Sequence, residues 1–333
     1  MLGRIDNPDK VTEKNVLSAK GAWGLPTIQF SEVGQSKRLL KSINALCKIF
    51  GSRLPIRFYG HYQNDFDASV LNHLPDVQWL FIDCLQNISN SDAIFQLPKL
   101  KKLSFGVYNY ENPDFLNQLN LQELEQLTIG ETKKRNIDLA LLAKAEKIHS
   151  LSIIGHTKNI NEVGHMQSLQ DLTLNLIGKK NGLEFASKIA KLNSLKIMLG
   201  GRQNINEVSH PLLQELQIIR VRGFNNIGDL SRFPRLQRLH IEDQIQLKTL
   251  GLASPNLEEI KILNCKNLSL IDGLPSLKKL KHLRCSRTAL DYDKLSEFSW
   301  PENMQTVALY SGNKKQDDIR RKRLDVLGLK EFS

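Results

Sequence analysis

Residues able to carry covalent or metal chemistry are present in this chain, but their spacings do not support it. Gly178-Lys179-Lys180-Asn181-Gly182 joins glycine to lysine without the spacing that wraps a phosphate in backbone N–H groups. Cys265 and Cys285 have no Cys-x-x-Cys partners, so no His/Cys/Asp cluster has zinc-site spacing. Asn87-Ile88-Ser89 and Asn267-Leu268-Ser269 match the glycosylation triplet, which has meaning only in a secreted chain. The expectation is a protein with no catalytic residue, no metal and no cofactor. Binding chemistry is better represented. Arginine forks and aromatic rings dominate binding hot spots, and here they recur at regular intervals with lysine.

The intervals come from a repeat. An apolar triplet of the form L-x-x-L-x-L occurs eleven times, from Val77-Leu80-Ile82 and Leu100-Leu103-Phe105 through Leu236-Leu239-Ile241 to Met304-Val307-Leu309. Its first members recur every 21–24 residues. That period is the signature of stacked leucine-rich repeats, each triplet a short strand with apolar members inward and alternate residues outward. A second apolar series returns at a spacing of three in Ile160-Val163-Met166-Leu169, Ile227-Leu230-Phe233-Leu236 and Leu268-Ile271-Leu274-Leu277. Such spacing suits a 3₁₀ or extended return, whereas Asp138 to Lys147 and Leu183 to Lys191 read as longer and helical. Asn-Ile-Asn-Glu-Val-x-His stands at both 159–165 and 204–210, which supports the register independently of the leucines. The fold class expected is α/β: a leucine-rich repeat solenoid with a curved parallel sheet of about twelve short strands, and 3₁₀ or short-helix returns on its convex side.

On these triplets, residues 54–312 resemble the short-repeat leucine-rich proteins typified by internalin-like domains and an intracellular phosphatase-binding regulator. The resemblance implies the fold and a surface that holds another molecule. One position departs from the family. Eight residues after the first leucine the family has Asn or Cys, whose side chain satisfies backbone groups in the turn. This chain has Leu85, Tyr108, Thr132, His156, Ile177, Gly200, Val221, Gln244, Cys265, Thr288 and Gly312 there. Only Cys265 fits, so irregular loops are expected.

Outward positions of the strands line the concave face. Tyr59, Trp79 and Phe81 stand near its N-terminal end, and Arg238, His240, Glu242, Lys261, His282, Arg284 and Tyr310 form a charged C-terminal third. Outward aromatics need a cover, supplied either by the N-terminal segment with Trp23 and Phe30 or by a partner. His240 and His282 lie two repeats apart, about 10 Å, too far to share a metal. In the loops after the strands, Lys133, Lys134, Lys158, Lys179, Arg202, Arg222, Lys266 and Lys314 make a basic rim without an acid among the equivalent positions. Such a rim steers acidic partners. Nucleic acid is the rival ligand, but the rim lacks interleaved aromatics and no nucleic-acid-binding motif is present.

Open solenoid ends need caps. Residues 1–53 are expected to be one, with Ser31 capping a helix whose apolar face is Val33, Leu39, Leu40, Ile43, Leu46, Cys47 and Phe50. Ile56 and Phe58 read as a degenerate first strand, residues 54–312 as the solenoid, and 313–333 as a C-terminal cap. In that cap Asp317 to Leu327, with Ile319, Leu324 and Leu327, reads as a covering helix, and its basic run Arg320–Arg323 as a solvated face. Apolar residues are 41%, charged residues 24% and the net charge is +11, which favours anionic partners without naming one. No run of 18 apolar residues exists and no apolar stretch follows Arg4. A cytoplasmic monomer with reduced thiols, away from membranes, is expected. The function expected is a non-catalytic protein–protein interaction scaffold that holds an acidic protein on the concave face and basic rim. The alternatives are an immunity or inhibitor protein against a toxin or effector, and nucleic-acid binding through the rim.

Overall fold

The computed structural model describes residues 3–21, 24–60 and 65–332, and the chain divides into two compact units, Met1–Leu169 and Gln170–Ser333. In the first unit the strands β1 (Arg4–Asp6), β2 (Thr27–Phe30), β3 (Pro55–Tyr59), β4 (Trp79–Leu85), β5 (Lys102–Val107), β6 (Gln126–Ile129) and β7 (Ser150–Ile154) pair in parallel with their sequence neighbours. The triplets stack in register. Ile56, Leu80, Leu103, Leu127 and Leu151 form one buried column, and Phe58, Ile82, Phe105, Ile129 and Ile153 the next. One repeat cannot bury its apolar face alone, so each rung is stable only against its neighbours.

Strands β1 and β2 lie beyond the expected set of about twelve. They carry no triplet, yet β2 pairs with β3 through Ile28 and Ile56, and Phe30 stacks on Phe58 at 5.4 Å between ring centres. Phe30 is therefore a core residue and not a cover for Trp79, and Trp23 lies outside the described residues. After α1 (Glu13–Ser18), α2 (Lys37–Phe50) buries Leu39, Leu40, Ile43, Leu46, Cys47 and Phe50 as its spacing predicts, and a single turn, α3 (Asp92–Phe95), follows β4. Its cap is Ser36, which accepts from the Leu39 N–H at 3.2 Å. Ser31, the cap expected from sequence, is held instead by Asn7, and Val33 stands exposed ahead of the helix.

The second unit repeats the plan with β8 (Asp171–Asn175), β9 (Ser194–Met198), β10 (Glu215–Ile219), β11 (Arg238–Glu242), β12 (Glu259–Leu263), β13 (His282–Ser286) and β14 (Thr306–Tyr310). Leu172, Leu195, Leu216, Leu239, Ile260, Leu283 and Val307 align rung by rung. Cys285 continues the second column as a small apolar group, and burial pushes its thiol up to about 12. Returns at Ile160–His165, Leu230–Arg232 and Leu274–Ser276 are 3₁₀ turns, as their spacing of three implies. The two returns expected to be longer helices are short 3₁₀ turns as well, Ala140–Lys144 and Glu184–Lys188. A repeat this short leaves too few residues for a helix of several turns once the strand and its two bends are made.

The loops are regular only in part: most strands end on one bend despite the missing asparagines, but β5, β6 and β14 do not. The residue leaving the strand is left-handed at Gly60, Gly155, Leu176, Leu199, Arg220, Asp243, Asn264 and Arg287, with φ between 52° and 78°. Where the inward side chain near the strand end is polar, it bonds backbone groups. Thr132 Oγ1 accepts from the Arg135 N–H at 3.1 Å, and Gln244 Nε2 donates to the Glu242 carbonyl at 2.7 Å. Cys265 Sγ lies 3.5 Å from the Leu263 carbonyl. His156 is fully buried, its Nδ1 accepting from the Ile137 N–H at 3.2 Å and its Nε2 2.9 Å from the Gly130 carbonyl.

That arrangement needs the neutral imidazole, and burial holds His156 below its ordinary value against the raising effect of its backbone hydrogen bonds. A depressed folded pKa gives full stability above the unfolded value of about 6.5, lost as pH falls through the folded value. Unfolding free energy is expected to decline on acidification below about pH 6.5, and His156→Gln to flatten that decline. Denaturant titrations across this range check it; an unchanged slope in the variant would show that His156 is not the group responsible.

The second unit ends in α4 (Tyr292–Ser296) and α5 (Lys314–Val326), the latter capped by Asn313, which accepts from the Gln316 N–H at 3.3 Å. Leu324 is buried as expected, but Ile319 and Leu327 are exposed. The basic run is a solvated face only at Lys322 and Arg323. Arg320 is buried against Asp293 and Asp317, Arg321 donates to Asp325 and to the Val307 carbonyl, and Arg323 pairs with Glu297.

Candidate functional site

In the first unit the outward side chains of β3 and β4 are ordered by contacts with one another. Arg57 Nε donates to Asp83 Oδ1 at 2.7 Å, and its guanidinium carbon lies 4.4 Å from the Tyr59 ring centre. The Tyr59 hydroxyl accepts from the buried Gln29 amide at 3.1 Å. Trp79 and Phe81 sit with ring centres 5.7 Å apart, and Lys102 Nζ lies 4.6 Å from the Trp79 ring. All three aromatics are half-buried. On β5 to β7 the neighbouring outward residues are small: Ser104, Thr128, Ser150 and Ser152. A Cβ on Gly130 would stand 2.5 Å from the Gly106 Cα, so this floor has no room to grow. The result is an aromatic wall beside a low polar floor.

In the second unit the outward residues form rows across the strands. Arg238, Glu259 and His282 make one row; His240, Lys261 and Arg284 make the next. Charges are paired within the face: Arg238 with Glu215 at 3.0 Å, and Lys261 with Glu259 at 2.9 Å. His240 Nε2 lies 3.1 Å from Glu242 Oε2, and Arg284 lies 5.7 Å from the Tyr310 ring centre. Burial holds His240 below its ordinary value against the pull of Glu242. His282 Nδ1 is 2.8 Å from Thr306 Oγ1.

Phe332 shares this face, although no repeat position in the sequence marks it. Lys330 pairs along the outer edge of β14, donating to the Gln305 carbonyl and accepting from the Val307 N–H, both at 2.9 Å. That places the Phe332 ring 4.7 Å from Lys261 Nζ and 5.4 Å from the His282 ring. The available signal was two apolar residues, Leu329 and Phe332, in an otherwise polar tail.

The rim residues divide by environment. Lys133, Lys134 and Lys158 are exposed in the first unit, with Lys134 on Glu111 at 2.9 Å and Lys158 on Asp138 at 3.0 Å. In the second unit Lys179, Arg222, Lys266 and Lys314 are exposed. Arg202 is not a rim charge. It is buried, donating to Glu207 at 2.7 Å and to the Asn181 carbonyl at 3.1 Å, so it ties two loops together. Among the described residues no group of three His, Cys, Asp or Glu could hold a metal ion, and no helix is long and apolar enough to cross a membrane.

No protein-family model and no curated protein matches this sequence. Solved structures do match. An internalin (InlF) from Listeria monocytogenes aligns with a TM-score of 0.57 at 17% identity, covering 92% of this chain and 87% of that one. The functional domain of InlJ from the same organism aligns at 0.49 and 16%, covering 92% and 63%. A leucine-rich repeat protein from Leptospira interrogans aligns at 0.31 and 15%, covering 79% and 92%. The first of these shows that the internalin and this chain share the leucine-rich repeat fold.

Proposed function

We propose that this chain is a non-catalytic scaffold that binds an acidic protein partner through its outward strand faces and basic loop rim. The observation that carries the reading is that arginine and aromatic side chains are held in fixed order on the side of the strands that the core does not use. Such groups bury much area or make forked hydrogen bonds, and here they are already paired and oriented, so binding costs little ordering entropy. The basic side chains of the rim add electrostatic attraction at a distance. Four free cysteines, three of them buried, support a reducing, cytoplasmic location.

Retention of a partner from source lysate, with and without nuclease, tests the reading. A discrete protein held after nuclease treatment is the expected result; nucleic acid alone would replace it with the rival. With the partner in hand, Arg238→Glu combined with Arg284→Glu is expected to weaken binding about tenfold or more, near 1.4 kcal/mol. The fold is expected to survive, because part-exposed pairs such as Arg238–Glu215 contribute at most about 1 kcal/mol. Undiminished affinity in a folded double variant would remove the strand face of the second unit from the binding surface.

A further inference from the structure

The left-handed turns that end β10 to β13 build a cleft of 580 Å³ whose charge the protein does not balance. Two rows of residues line it. Arg220, Asp243, Asn264 and Arg287 occupy the left-handed positions, and Arg222, Ile245 and Lys266 stand two residues further along successive rungs. Arg220 is neutralised by Asp243 at 2.7 Å. Arg222, Lys266 and Arg287 are exposed and make no ion pair among the described residues. Loop lysines in the first unit show the contrast, since Lys134 and Lys158 each have a carboxylate within 3.0 Å. Three uncompensated cations around one concavity repel one another, and an anionic ligand relieves that repulsion.

The cleft also has an apolar centre. Ile245 is 62% exposed and lies between Arg222 and Lys266, whose backbones are two rungs, about 10 Å, apart. A ligand that fills it must carry anions at two ends and an apolar group between them. Among the described residues no aromatic side chain lines the cleft, so a nucleic-acid base has nothing to stack on.

We propose that this cleft receives an extended acidic segment of a partner protein, in which an apolar side chain stands between two carboxylates. Same-side residues of an extended chain are about 6.8 Å apart, so carboxylates at positions one and five flank an apolar residue at three over about 14 Å. Arg222 and Lys266 side chains are long enough to span from their backbones to that distance, and an arginine fork grips a carboxylate through two parallel hydrogen bonds. The proposal rests on the acidic-partner reading and gives it a sequence pattern.

The probe is a blocked heptapeptide, Gly-Asp-Ser-Leu-Ser-Asp-Gly, titrated into the full chain at low salt while backbone amide resonances are followed. Saturable shifts confined to the loops around Gly223, Ile245 and Lys266 are expected. Affinity is expected to fall about tenfold when both aspartates become asparagine, and again when the leucine becomes alanine. Arg222→Glu with Lys266→Glu, both at exposed unpaired sites, is expected to abolish the shifts without changing Tm. Absence of saturation, indifference to the asparagine exchange, or shifts that persist in the double variant would each overturn the proposal. So would tighter binding of a thymidine oligonucleotide at the same residues. If a captured partner is released by the Arg238/Arg284 variant but retained by the Arg222/Lys266 variant, the scaffold reading stands and the cleft proposal falls.

Discussion

Phe105→Ala is expected to lower the stability of the first unit by about 3–5 kcal/mol. Phe105 is 1% exposed and occupies the second core column between Ile82 and Ile129. Its ring stacks on Phe115 at 5.1 Å and receives the edge of Tyr110 at 4.8 Å. Removal deletes the ring's transfer energy and both aromatic contacts, and leaves a cavity that cannot collapse. The flanking strands are pinned by parallel ladders on both sides, so the rungs cannot close by half a spacing. Phe105→Leu keeps much of the volume and is expected to cost less than half as much. Denaturant unfolding with hydrogen exchange on β4 to β6 measures both. A loss below about 1.5 kcal/mol for the alanine variant would show that the column relaxes, against the stacking seen here.

Asp317→Ala is expected to cost about 3 kcal/mol and to loosen α5 before the strands it covers. The Asp317 carboxylate accepts from the Ser311 N–H at 2.9 Å, the Ser311 hydroxyl at 2.6 Å, the Gly312 N–H at 3.1 Å and Arg320 at 3.2 Å. Both Asp317 and Arg320 side chains are 9% exposed, so solvent does not screen the pair. Burial pushes the Asp317 carboxyl up, but its hydrogen bonds from Ser311 and Gly312 and the charge of Arg320 outweigh it and hold it below the usual carboxylate range. Stability from this group is therefore present above the unfolded value of about 3.9 and lost as pH falls through the folded one. Alanine leaves the more exposed Asp293 as the one carboxylate paired with the guanidinium among the described residues. Accelerated amide exchange across α5, with smaller changes in β8 to β10, is the expected pattern. A uniform loss across the unit would mean that the cap and the strands unfold as one.

The repeat was legible because the leucine triplets obey one period, and any chain that places an apolar pair on every rung must stack the rungs to bury it. Ile56 and Phe58 were legible for the same reason, although their triplet is incomplete. Arg4–Asp6 and Thr27–Phe30 were not, because Thr27–Phe30 is buried at every position rather than at alternate ones, and no period marks either strand. The outward positions were also legible, since alternation along a strand sets which side chains leave the core. What those side chains meet was not. Arg202 and Arg222 occupy the same kind of loop position, yet Arg202 is buried on Glu207 while Arg222 faces an open cleft. Arg220 and Arg287 fell outside the expected rim because a left-handed φ, invisible in residue type, turns them toward it. Phe332 reaches the strand face only because Lys330 pairs along β14. Periodic apolar spacing is a local property that sequence determines by itself. Which charges remain unpaired, and which concavity they share, depends on side chains one or two rungs away, and only the stacked structure decides those neighbours.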